Sequence, residues 1–125
     1  MAREAEVHFH REMLNAVETM KQDIGYNPTR FVQMLADQGG AEATLRLLRR
    51  GNGSDGFTTL WEAGRLALTA EATALLPWYK TLFDLATRAE ARRRLSDHGF
   101  DVDAFIERRV AHPPGWAASD LESPA

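Results

Sequence analysis

His8, His10 and Glu12 fall within five residues of one another, and histidines with a carboxylate are what a helix would use to hold a divalent ion. His8 and Glu12 are one turn apart and share a face. His10 lies about 200° around the helix from His8, so this element supplies two ligands where a zinc site takes three or four. His98 and His112 would have to converge from elsewhere, and each sits at a helix end, where an imidazolium complements the dipole. The sequence predicts no metal site and no cofactor.

An acid–base pair needs titratable groups held together in an apolar cleft. Glu62 and Glu71, on either side of the Gly64-Arg65 joint, are the carboxylates placed for one, and the same arrangement suits a structural ion pair with Arg65. The chain carries no nucleophile elbow, and Gly51-Asn52-Gly53 has neither the preceding strand nor the following Lys-Ser/Thr of a phosphate loop. No residue is assigned a catalytic role, and the pattern points away from an enzyme.

The third set is basic. Residues 46–94 hold nine bases and five acids, between an opening stretch with four and seven and a closing one with two and six, so a positive middle is set in a chain of net charge −3. Thirteen of the fifteen bases are arginine, a side chain suited to bidentate and stacked contacts. Arg46, Arg49, Arg50, Arg65, Arg88 and Arg92 are the candidate contacts to a partner or to a phosphate backbone. Two spacings argue for internal pairing instead: Glu90 precedes Arg94 by four and Arg93 precedes Asp97 by four. Arg88 and Arg92 border the apolar face of Ala91 and Leu95, where their stems can pack and their heads project side by side.

Residues 31–50 have the outline of a helix-turn-helix, two helical stretches about the Gly39-Gly40 turn with arginines on the second. Base-reading residues come early in a recognition helix, whereas this one opens with Ala41 and Glu42 and carries its arginines late. An ordinary helical hairpin is the expectation.

These residues must be positioned by helices, since no strand pattern and no internal repeat occurs. At 125 residues the chain is long enough for one core, and with no cysteine it has neither disulfides nor thiolate chemistry, which suits a reducing compartment. The opening residues are charged where a signal peptide is apolar, and no apolar run approaches the roughly eighteen residues of a membrane span, so a cytoplasmic location without a membrane partner is expected.

Phe9, Met13, Ala16, Val17, Met20 and Ile24 form one stripe of a first helix ended by Gly25. Asn27-Pro28 opens a second, with Asn27 as cap and Phe31, Val32, Met34 and Leu35 inward. Gly39-Gly40 separates it from a third, over residues 41–50, and a glycine-rich loop follows. The centre of the fold is expected over residues 56–76: a helix burying Phe57, Leu60 and Trp61, stopped at Gly64, then one capped by Thr69. Pro77 predicts a break at Leu76 and a short helix over 78–85. Thr87 and Glu90 form a capping box for the next helix, and Asp101 caps the last. Pro113-Pro114-Gly115 is read as the end of regular structure, giving a helical domain over 1–112 and a flexible tail over 113–125.

Tyr26-Asn27-Pro28-Thr29-Arg30-Phe31, Gly39-Gly40 with Leu47-Leu48, Gly56-Phe57 with Leu60-Trp61-Glu62, and Gly64-Arg65-Leu66 with Leu68-Thr69 and Glu71 together resemble a group of short, uncharacterised, hypothetical bacterial proteins. The likeness spans about residues 8–100 and implies a small all-helical unit, with no activity to carry over. Ala67 departs from it, standing where an acidic residue is expected.

The sequence thus predicts an all-α, compact single domain of six or seven short helices packed orthogonally, with a disordered C-terminal tail. The function it favours is a non-catalytic protein-interaction or regulatory module of a bacterial cytoplasm, with another protein as partner. The alternative is a nucleic-acid-binding accessory protein using the central arginines as one basic face. Arginines interleaved with Glu90, Asp97 and Glu107 would speak for the first, and an unbroken basic surface for the second.

Overall fold

The computed structural model of the protein describes residues 2–49 and 55–117. It is an all-α fold, with no strand among the described residues. In chain order the helices are α1 (Ala2–Ile24), α2 (Thr29–Gln38), α3 (Gly40–Arg49), α4 (Asp55–Glu62), α5 (Ala70–Ala74), α6 (Leu85–Asp97) and α7 (Val102–Ala111), with 3-10 turns at Leu66–Leu68, Pro77–Tyr79 and Gly115–Ala117. None of these helices is long and apolar enough to cross a membrane.

The core begins on α1, where Phe9, Met13, Val17 and Met20 are buried along the expected stripe while Ala16 and Ile24 lie at its half-covered edges. The Phe9 ring meets Tyr79 edge-on at 5.0 Å and Phe83 at 5.2 Å, an arrangement that sets positive ring edges against negative faces. Helix α3 is the central element, packed against α1, α2, α5 and α6. Its first residue explains how it gets so close to α1. A Cβ added to Gly40 would lie 2.8 Å from the Cα of His10, so only glycine fits, and the Gly40 amide, an orphan donor at a helix start, donates to His10 Nδ1 at 3.0 Å. The first residue of α3 is therefore covered by α1, while Glu42 stays exposed.

The stops and caps follow local chemistry. Gly64, at a φ of 70°, closes α4 by placing its amide on Trp61 O and that of Arg65 on Leu60 O. Thr69 caps α5, accepting from the Ala72 amide at 3.1 Å, and Asp101 caps α7 through the Ala104 amide at 3.0 Å. At α2 no side chain caps the start, and Pro28 itself takes the cap position in place of Asn27.

Four expectations are corrected. Trp61 is 47% exposed, because Phe57 and Leu60 define the buried face of α4 and Trp61 lies about 100° around the helix from Leu60, at the edge of that face. Its ring rests instead on the edge of His98 at 5.0 Å. The break at Leu76 is present, but the helix expected after it stops at the single turn Pro77–Tyr79. Asp84 is the reason: its carboxylate accepts from the Thr87 amide at 2.8 Å and starts α6 three residues before the expected capping box, leaving Glu90 to arginines further along. Finally, the packed chain runs past His112. Trp116 stacks on His8 at 4.4 Å with the rings 5° apart, and Ala117 is fully buried. Of the expected tail, residues 118–125 lie outside the described residues.

Two outcomes follow from this packing. Gly40→Ala should be destabilised by more than about 2 kcal/mol in urea unfolding, since the opposing atoms are backbone and cannot turn aside. Truncation after His112 should cost about 2 kcal/mol, through loss of the Trp116 stack and the burial of Ala117, relative to truncation after Ala117; an unchanged melting temperature would show that this turn contributes nothing.

Candidate functional site

Helix α6 carries Arg94 into the centre of the molecule, where it is 3% exposed. Its Nε donates to Glu90 at 2.7 Å, one turn back on the same helix, and its two Nη groups donate to the carbonyls of Leu47 and Leu48 at 3.0 Å each. Those carbonyls belong to the last turn of α3, which has no helical donors of its own for them, so a planar fork from another helix closes the end of α3. Glu71 of α5 approaches the same guanidinium at 3.6 Å, an ion-pair distance beyond a hydrogen bond. Three helices thus meet on one buried cation.

The two carboxylates divide that cation unequally. Glu90, hydrogen-bonded by both Arg93 and Arg94, is pulled down to about 2 and stays ionised. Glu71 is 2% exposed and its Oε2 has no hydrogen-bond partner. Burial raises its carboxyl above the ordinary range, against the opposing pull of its own backbone amide and of Arg94.

Glu71 also lies at the floor of a cleft of about 740 Å³ between the start of α2 and the segments around α4 and α5. Met20, Phe31, Met34, Leu47, Phe57 and Leu60 give its apolar wall, and Asn27, Thr29 and Arg30 stand exposed at its mouth. The volume is that of a site for a small molecule or a short peptide segment. The Thr69 hydroxyl in the lining is already engaged, donating to Leu66 O at 2.7 Å while it accepts from Ala72.

A second polar cluster ties α1 to later parts of the chain. The Tyr79 hydroxyl donates to Glu12 Oε2 at 2.6 Å, Arg109 of α7 donates to Glu12 Oε1, and the Arg109 guanidinium lies 5.9 Å from the ring centres of both Trp78 and Phe105. Burial, then the Glu12 carboxylate, raises the phenol far above its ordinary range, so Tyr79 acts as a hydrogen-bond donor and not as a base. With Glu12 bound in this way and His8 stacked on Trp116, the residues singled out for a shared ion are engaged elsewhere, and no cluster of three metal-ligating side chains occurs among the described residues.

The candidate arginines separate into two kinds. Arg65 pairs with Asp23 at 3.1 Å and Arg92 with Asp103 at 3.1 Å. Arg93 pairs with Asp97 at 2.9 Å, as the spacing predicted, and also with Glu90 at 2.7 Å. Arg46 and Arg49 are exposed on α3; Arg49 and Arg88 both lie near Asp84, whose carboxyl is lowered chiefly by its bonds to Thr87, and Arg88 Nε has no hydrogen-bond partner. Arg50 lies outside the described residues. Arg65, expected to answer Glu62 or Glu71, turns to the end of α1, and Glu71 finds Arg94 instead.

The Arg94 centre was missed in the sequence, although a signal was there: Glu71 is the single charge between Arg65 and Lys80. A lone acid in such an apolar run calls for a buried cationic partner. No protein-family model, curated protein or solved structure matches the chain.

Arg94→Met should cost about 3–5 kcal/mol, because it leaves the Leu47 and Leu48 carbonyls without this donor and Glu71 without its buried counter-ion. For Glu71 the sign is set by a raised folded-state pKa: the folded protein holds a proton that the unfolded chain releases near its ordinary value, so stability falls as pH rises through the folded pKa and is level above it. Glu71→Gln should remove that fall in melting temperature, and a variant with the same pH profile as the wild type would show that Glu71 is ionised throughout.

Proposed function

We propose that the protein is a non-catalytic interaction or regulatory module of a bacterial cytoplasm that works by receiving a segment of another protein in the cleft at Glu71. The observation that carries this reading is the cleft itself, an apolar wall with two methionines whose flexible thioethers adapt to an incoming side chain. The surface chemistry supports it as well. Arg65, Arg92 and Arg93 are each set against an acidic neighbour, so the basic middle of the sequence is a mosaic of both signs in space.

A nucleic-acid-binding role is the second reading, supported by Arg46, Arg49 and Arg88, which have no ion pair among the described residues. It would use phosphate contacts from these three side chains and no base readout.

A photo-cross-linking amino acid placed at Met34, in the cleft, or at exposed Leu14 on α1 separates the two. The first reading expects a discrete protein adduct from position 34 in source-cell lysate, resistant to nuclease, competed by unlabelled protein and absent from position 14. Nucleic-acid binding with a log–log salt slope of about −3, abolished by Arg46→Gln, Arg49→Gln and Arg88→Gln together, would establish the second and displace the first.

A further inference from the structure

The contact that lays the start of α3 on α1 depends on one protonation state. Gly40 is buried and its amide donates to His10 Nδ1 at 3.0 Å, so the neutral ring carries its proton on Nε2. An imidazolium has a proton on both nitrogens and offers that amide nothing to donate to. Protonation of His10 and the bond from Gly40 therefore exclude each other. Among the described residues the Gly40 amide has no second acceptor, whereas its neighbour Gly39 donates to Leu35 O in the ordinary way.

The charged ring has somewhere else to go. His10 is half-buried at the edge of a cavity of about 520 Å³, whose lining includes Glu6 and Glu42 with Val7, Gln38, Leu45 and Leu82. Glu6 is one turn before His10 on α1, Glu42 stands in the first turn of α3, and both are exposed. These two carboxylates are the charged groups that the surrounding elements bring to the cavity among the described residues; the end of α2 supplies Gln38, and the segment before α6 supplies Thr81 and Leu82.

We propose that His10 is a pH-sensitive latch between α1 and α3: the neutral imidazole holds the Gly40 amide, and the imidazolium releases it and turns into the cavity toward Glu6 and Glu42. A charge-assisted bond to either carboxylate replaces the one the ring gives up, and the cavity leaves room for the side chain to change rotamer. The released amide is a buried donor without an acceptor, so acid loosens the start of the helix on which α1, α2, α5 and α6 pack. The latch is independent of what the cleft at Glu71 receives.

The test is an acid titration of the full chain, labelled uniformly with 15N, followed by NMR. His10 Nδ1 should begin as an unprotonated ring nitrogen, and its protonation and the shift of the Gly40 amide should share one midpoint. Across that midpoint the exchange protection of the Gly40 amide, corrected for its intrinsic rate, should fall at least about tenfold. The Ala72 amide, held at another helix start by the uncharged Thr69 hydroxyl, should keep its protection. His10→Asn places an amide oxygen near the position of Nδ1 and nothing that titrates, so its Gly40 signal should stay constant across the wild-type midpoint. Glu6→Gln combined with Glu42→Gln removes the carboxylates that receive the imidazolium and should move the Gly40 midpoint to lower pH.

A Gly40 amide that ignores the protonation of His10, a loss of protection shared by Ala72, or a pH response that survives His10→Asn would each overturn the latch. An unmoved midpoint in the double glutamine variant would overturn the turn toward Glu6 and Glu42. The Gly40 and Ala72 signals are read on the unaltered protein, so they decide the matter even if His10→Asn folds poorly.

Discussion

One guanidinium holds three helices in register. Arg94 reaches from α6 to the open end of α3, where it donates to two carbonyls, and to the carboxylate of α5, which it approaches as a counter-ion. Such a centre is an uneconomical source of stability compared with packed hydrocarbon, because desolvating the charges offsets much of what their attraction contributes. Its value is in placement: a planar fork with fixed donor directions admits few alternative positions of α3 relative to α6, where aliphatic packing would admit many. The cleft inherits that definition, since Leu47 of its wall and Glu71 of its floor both belong to the elements Arg94 joins.

A second constraint acts at the opposite end of α3. There the backbone of Gly40 touches the backbone of α1, with a hydrogen bond from the helix start to an imidazole that must present a bare Nδ1. The hub helix is thus fixed by polar contacts at both ends and by apolar packing between them, with Ala43, Thr44 and Leu48 buried.

Much of the fold was legible because it is written in local signals. The stripe of α1, the glycine stops at Gly25, Gly39, Gly64 and Gly99, and the caps Thr69 and Asp101 depend on residues within a turn of one another, and they stand where the sequence put them. The site was less legible, because its geometry depends on residues far apart in the chain: Arg94 answers Leu47 from a distance of 47 residues. Helical spacing could pair Glu90 with Arg94, and did, but could not show that the same arginine turns inward. Trp61 shows the limit in another way. Its type and spacing are those of a core residue, and its exposure is decided by which side of an eight-residue helix the neighbours occupy. Of the six arginines expected to meet a partner, Arg65 and Arg92 have carboxylates beside them that lie 42 and 11 residues away in sequence, at separations no periodicity reports.

The strap formed by Glu12, Tyr79 and Arg109 has a consequence for how the chain is made. Glu12 and Arg109 are 97 residues apart, so the apolar stripe of α1 leaves the ribosome long before the residues that cover it. Closing a loop of that size costs about 4 kcal/mol beyond the constant term for initiating any loop, and the cost falls on the step that joins Arg109 to Glu12. During synthesis α1 is therefore an amphipathic helix without its partners, the kind of surface that nascent-chain chaperones hold. Its burial under Tyr79 and Phe83 waits until those residues have been translated, and the bond from Arg109 closes last.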